Sequence, residues 1–351
     1  MLRADAAYRK GEYAAAQPML DALWKLPERE REPAPRQAAI LFRRAHCRFE
    51  LGNHAGAAKL FLQLAKDFSK EELAPKALWL AAQSALAEKK TAEAYQAYQQ
   101  LLETYPAYGE RARMMKDAAL LAGSLKNTAD MIRWLTAFLG ETPEPPDAAE
   151  AHYWLALARQ DAGDNPAAAE EWERARTLDG GRYYQPATQQ LIRLALLAEN
   201  LETLQKEVAG YDRWRETHTY ADAVPLEVYE WLGQELAQRG KAGAETFLRR
   251  VLAASEEGTQ RYRVHLRLCR LLSAQNNPGA AVREWKTFRV NFPQYADQVE
   301  VMESQARALL ESGEYDEAER MAEELLRRYP EGLETRAGDP DGGSGLGKAA
   351  L

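Results

Sequence analysis

Small and apolar residues recur along the chain against a polar background, and the arrangement repeats every 37 residues. Ala57, Ala94, Ala168, Ala281 and Ala318 are separated by 37, 74, 113 and 37 residues; the one exception, 113, is two periods plus a slip of 39. Twelve positions earlier runs a second set, Ala45, Ala82, Ala119 and Ala156, each 37 from the last, continued by Cys269 and Ala306. Between the two sets lies a tight turn, marked by Gly52, Gly163 or Gly313. Four residues after the second anchor stands an aromatic, as at Phe61, Tyr98, Trp172 and Trp285, and in several repeats a proline closes the unit, as at Pro106, Pro293 and Pro330. Each feature has a packing reason. Small residues allow two helices to cross closely, the aromatic fills the gap to the next hairpin, glycine supplies turn angles other residues resist, and proline stops the second helix.

The predicted elements are therefore paired helices. Nine hairpins are expected, near 1–27, 36–69, 73–106, 110–140, 147–179, 186–216, 225–254, 259–293 and 297–330. The fourth and sixth are degenerate, with Met131 and Gln205 where the others place a small residue. Because each hairpin cannot bury its apolar face alone, residues 1–335 are expected to stack as one all-α, right-handed superhelical solenoid, followed by a flexible Gly-rich tail at 336–351.

The segments GDNPAAAEEWERA at 163–175 and GEYDEAERMAEELLRRYP at 313–330 carry the fullest form of the pattern. Over about 330 of the 351 residues the chain resembles the tetratricopeptide repeat (TPR) family. A spacing of 37, with LETYPAYGERARMM and RRYPEGLETRA at the junctions, is similar to bacterial envelope members such as the tol-pal accessory protein and the outer-membrane assembly lipoprotein. The resemblance implies a periplasmic scaffold for protein partners; an N-terminus complete as it stands would instead imply the cytoplasm. The alternative is a non-catalytic superhelical segment of a larger enzyme or regulator, since the chain opens inside a repeat and closes on a Gly-rich stretch.

Composition narrows the picture. Alanine is the commonest residue, at 63, and Ala, Leu, Glu, Arg, Lys and Gln favour helix over strand. A formal charge of -7 argues against DNA or RNA as main partner. Cys47 and Cys269 lie in different repeats, so no disulfide is expected. The nearest approach to a membrane span, Leu78 to Ala87, is too short and contains Gln83 and Ser84.

The candidate chemistry reads as packing or solvated surface. Gly342, Gly347 and Lys348 have phosphate-loop spacing, but Ala349 stands where the loop needs Ser or Thr and no strand precedes it. His265 and Cys269 are one helical turn apart on positions expected to be buried, too few ligands for a metal. His46 and Cys47, as helix neighbours, face different directions. Glu170 with Glu171 and Glu323 with Glu324 read as solvated faces, and the five histidines show no pattern. The expectation is a non-enzyme with no cofactor or metal.

A partner is expected in the groove that the first helices of such a stack line. Three before and one after each first-helix anchor give Phe42 and His46, Trp79 and Gln83, Lys116 and Leu120, Tyr153 and Leu157, and Leu266 and Arg270, with Arg113 and Arg263 on the rim. The Lys and Asn pattern with which some relatives grip a terminal carboxylate is absent at these positions.

Overall fold

The structure is a computed structural model of the chain, and it describes residues 2–141, 147–255, 258–275 and 277–329. Among the described residues there are eighteen α-helices and no strand. In chain order they are α1 (Leu2–Arg9), α2 (Tyr13–Lys25), α3 (Ala34–Glu50), α4 (His54–Asp67), α5 (Leu73–Ala87), α6 (Thr91–Thr104), α7 (Arg111–Ser124), α8 (Thr128–Glu141) and α9 (Ala148–Asp161), then α10 (Asn165–Thr177), α11 (Tyr184–Leu197), α12 (Leu201–Thr217), α13 (Leu226–Gln238), α14 (Ala244–Ala254), α15 (Thr259–Ala274), α16 (Pro278–Asn291), α17 (Val299–Ser312) and α18 (Tyr315–Arg328). They pair into nine hairpins, each odd-numbered helix followed by its partner.

The chain divides into two compact units, Met1–Ala187 and Thr188–Leu351, with the boundary inside α11. In the first unit each of α1 to α10 packs on the next, and α3 also touches α5. One apolar cluster runs there from Leu41 to Ala158. In the second unit each of α12 to α18 packs on the next, and the first helices α13, α15 and α17 touch in succession.

The small-residue anchors lie where they are needed, except Ala306, which is half-buried beside the buried Gln305. Ala45, Ala82, Ala119, Ala156 and Cys269 on first helices, and Ala57, Ala94, Ala168 and Ala281 on second helices, are wholly buried, as are Phe61, Tyr98, Trp172 and Trp285. In the fourth hairpin Met131 takes the place of the small residue because Gly123 makes room: a Cβ on Gly123 would stand 2.7 Å from the Met131 sulfur. In the sixth hairpin the buried opening position is Leu204, one residue before the expected Gln205, which is half-buried and donates to the Ala242 carbonyl.

Asparagine and aspartate start the second helices. Asn53, Asp164, Asn200 and Asn277 each accept a hydrogen bond from the backbone N–H three residues on, which satisfies one orphan donor of the first turn. One residue before Asn53, Asp164 and Asn200 the chain passes through the left-handed region, at Gly52 (φ 78°), Gly163 (φ 82°) and Glu199 (φ 52°). Pro330 and the Gly-rich tail, with Gly342, Gly347 and Lys348, lie outside the described residues.

Candidate functional site

On the first helices of the first unit, most of the expected groove residues are half-buried. Phe42 is buried, stacked on His46 at 6.0 Å between ring centroids and edge-on to Phe61 at 5.6 Å, so it is mostly core. His46 is half-buried among Tyr8, Tyr13, Phe42 and Phe49. Burial, helped by the charge of Lys76, holds its pKa below the ordinary histidine value. Trp79 packs one side on the core cluster and leaves part of its ring accessible. Gln83 donates to the Tyr98 hydroxyl at 2.6 Å. Tyr153 is half-buried, with Trp154, Trp172 and Tyr183 within 5.5 Å of its ring. Leu120 and Leu157 are half-buried as well.

The cations on these faces divide sharply. In the first unit Arg36, Arg43, Arg44, Arg48, Arg111, Lys116 and Arg159 on α3, α7 and α9 all have a carboxylate partner. Lys116 bridges Asp147 at 2.7 Å and Glu150 at 2.9 Å; burial pulls its pKa down, but these hydrogen bonds outweigh it and raise it. Lys76 on α5 and Arg113 on α7 are exposed and, among the described residues, make no ion pair. In the second unit the expected groove cations are engaged within the chain. Arg263 and Arg267 reach Glu230 at 3.8 and 2.9 Å, and Arg270 reaches Glu300 at 2.8 Å.

Two polar clusters departed from the sequence reading. Glu171 is not on a solvated face: it is buried, accepts from His152 Nδ1 at 2.5 Å and lies 3.5 Å from Arg159. His265 in turn pairs through Nε2 with Glu284 at 2.8 Å, and Arg249 adds a second contact at 2.9 Å. The histidines therefore do have a pattern. His152 and His265 stand 113 residues apart, as do Glu171 and Glu284, the same interval that separates Ala168 from Ala281. The slip already measured on the alanines would have exposed the match. The hydrogen bond from His265, together with Arg249, holds Glu284 below the usual carboxylate range. Cys269, one turn on from His265, is buried and free, with its pKa pushed up by that burial. Glu170 and Glu323 are exposed, while Glu324 is half-buried and pairs with Arg328 at 2.6 Å.

Two family models described as tetratricopeptide repeat match the chain, one over residues 1–72 and 303–336 and the other over 76–108. No curated protein sequence matches the chain. Solved structures similar to it include a tetratricopeptide repeat protein from Parabacteroides merdae, 15% identical over 78% of this chain and 98% of that one, with a TM-score of 0.39. Another is the C-terminal part of a TPR repeat-containing protein from Cytophaga hutchinsonii, 16% identical over 75% and 98%, with a TM-score of 0.36. A third, Naa15/Naa10 bound to HypK-THB, is 12% identical over 94% of this chain and 63% of that one, with a TM-score of 0.38. At these scores nothing about this chain rests on them. No helix among the described residues is long and apolar enough to cross a membrane.

Proposed function

We propose that this chain is a non-catalytic scaffold that holds a protein or peptide partner against the first helices of its first unit. The observation that carries the reading is the set of half-buried side chains on α5, α7 and α9, where Trp79 packs on the core and leaves part of its ring accessible and Tyr153 is half-buried beside Trp154, Trp172 and Tyr183. Stacked TPR-type hairpins turn their first helices toward a common groove, and aromatic side chains anchored in such grooves supply much of the binding energy. The 37-residue spacing and the Tyr-Pro and Phe-Pro junctions support placing that work in a bacterial envelope assembly.

The test is capture of partners from the native source by the intact chain and by single variants. Trp79→Ala and Tyr153→Ala should each weaken capture by about 1 to 3 kcal/mol, while Glu170→Ala, exposed on α10, should stay within about 0.5 kcal/mol. Equal loss from both faces would move the binding site elsewhere, and no loss from either aromatic would end the reading.

A further inference from the structure

We propose that the segment held by the first unit is acidic, with two side-chain carboxylates meeting Lys76 and Arg113 and an apolar side chain seated on Trp79. The inference rests on the peptide-binding reading of the same helices and adds the chemistry of the partner. Lys76 and Arg113 are 37 residues apart, so they occupy the same position of consecutive repeats, three residues ahead of Trp79 and Lys116 respectively. Every other lysine or arginine on α3, α5, α7 and α9 makes an ion pair within the chain, whereas these two are exposed and make none among the described residues, Arg113 acting only through its charge on Asp117 one turn on. The contrast is local and does not follow from a shortage of acid. Lys116 takes two carboxylates from the next hairpin, Asp147 and Glu150.

The acidic neighbours of the pair stand at helix starts or are half-buried. Glu72 and Glu110 stand at the starts of α5 and α7, where a carboxylate complements the positive end of the helix. Asp117, a turn beyond Arg113, accepts a hydrogen bond from the Tyr98 hydroxyl; burial pushes its carboxyl above the ordinary range, against the opposing charge of Arg113. Lys76 lies 5.9 Å from the Phe42 ring, so its ammonium sits over apolar surface, where a charge-assisted hydrogen bond to an incoming carboxylate is strengthened. The two cations stand on separate first helices, α5 and α7, each packed on the intervening α6, so each is matched with a carboxylate of its own. Two glutamates three residues apart in a polyproline-II-like segment lie on one face about 9 Å from each other.

The experiment is calorimetric titration of the full chain with a C-terminally amidated nonapeptide carrying Glu-Leu-Ala-Glu at its centre, and with its counterpart in which both Glu are Gln. Amidation removes the terminal carboxylate from the comparison. The Glu peptide should bind about tenfold more tightly, about 1.4 kcal/mol, with the gap narrowing as salt is raised. The double variant Lys76→Gln/Arg113→Gln, both exposed and checked for native helicity, should bind the two peptides alike. Trp79→Ala should weaken both. Equal affinity of the two peptides for the unaltered chain, with both weakened by Trp79→Ala, would overturn the acidic partner and leave the groove standing. A preference for the Glu peptide that survives the double variant would overturn it as well, and binding of neither peptide would overturn the acidic segment together with the groove.

Discussion

The two units are built from the same hairpin yet spend their first-helix side chains differently. In the second unit α15 carries Arg263, Arg267 and Arg270, which reach Glu230 on α13 and Glu300 on α17, so the charges bind neighbouring hairpins to one another. In the first unit the equivalent faces carry Trp79 and Tyr153, with Lys76 and Arg113 turned to solvent. A repeat fold needs only its buried anchors to stack. The exposed positions are free to vary, and the difference teaches that one scaffold can close a surface with internal ion pairs or leave it receptive. Arg270→Ala should therefore leave peptide capture unchanged within about 0.5 kcal/mol, while Trp79→Ala costs it.

Where the units resemble each other most is in the buried His–Glu pairs, and the largest expected effect would come from breaking them. Glu171→Ala removes the buried carboxylate that both His152 and Arg159 face and should cost about 3 kcal/mol. Glu284, with its side chain 13% exposed, lies nearer water, so Glu284→Ala should cost less, about 2 kcal/mol. Denaturant unfolding measures both, and equal losses would erase the distinction drawn from burial. Acid sharpens the same comparison. The folded pKa of Glu284 lies below its ordinary value of 4.5, so its contribution to stability is present above that value and is lost as pH falls through the lowered one. His265→Gln removes the main cause of the shift and should flatten the acid limb of the pH–stability curve. An unaltered acid limb would show that the pair does not set it.

A smaller effect is expected at the helix crossings. Ala156 and Cys269 occupy one repeat position, both wholly buried, with Ala156 in the first unit and Cys269 in the second. Ala156→Leu adds three carbon atoms to a filled crossing and should cost about 1 to 3 kcal/mol. Cys269→Leu adds less volume and should cost about 1 kcal/mol. Melting temperatures of the two variants test the register, because an unchanged value for Ala156→Leu would mean that the helices do not cross there.

Much of the fold was legible because the features that set it are local or periodic. The spacing of Ala45, Ala82, Ala119 and Ala156 encodes the helix crossings, and the caps and turns occupy fixed offsets from the second anchors. What escaped depends on pairs of residues far apart in the chain. Glu171 read as solvated from its neighbours in sequence, since nothing near it announces that His152, nineteen residues earlier, packs against it. The sixth hairpin misled for a related reason: without a small residue at its opening, the 37-residue phase pointed to Gln205, whereas the Asn200 cap and buried Leu204 set the true phase. The expected groove was drawn from positions and not from chemistry. Sequence phase selected Arg113, Arg263 and Arg270 alike, and only the ion pairs separate the exposed Arg113 from the two arginines held by Glu230 and Glu300.

The smallest expected effect lies in the turn, the one element in which the units should not differ. Five residues before the buried opening position of the second helix, the backbone is left-handed in both units: Gly52 and Gly163 in the first, Gly313 (φ 82°) in the second. Three hairpins place a side chain there instead, Lys89 (φ 58°) and Lys126 (φ 59°) in the first unit and Glu199 (φ 52°) in the second. The turn is kept by backbone hydrogen bonds, with Lys126 N–H donating to the Gly123 carbonyl and Asn127 N–H to the Ala122 carbonyl, each at 2.9 Å, so it persists without glycine. A non-glycine residue in this region costs about 1–2 kcal/mol, and glycine returns about 0.5–1 kcal/mol of that in unfolded-chain entropy. Lys126 is exposed, so its side chain has little packing to lose. Lys126→Gly should therefore stabilise the chain by about 0.5–1 kcal/mol, and Gly313→Ala, in the second unit, should destabilise it by a similar amount. If only one of the two shifts appears, the turn is not the common element, and the difference between the units reaches beyond their exposed faces into the hairpin itself.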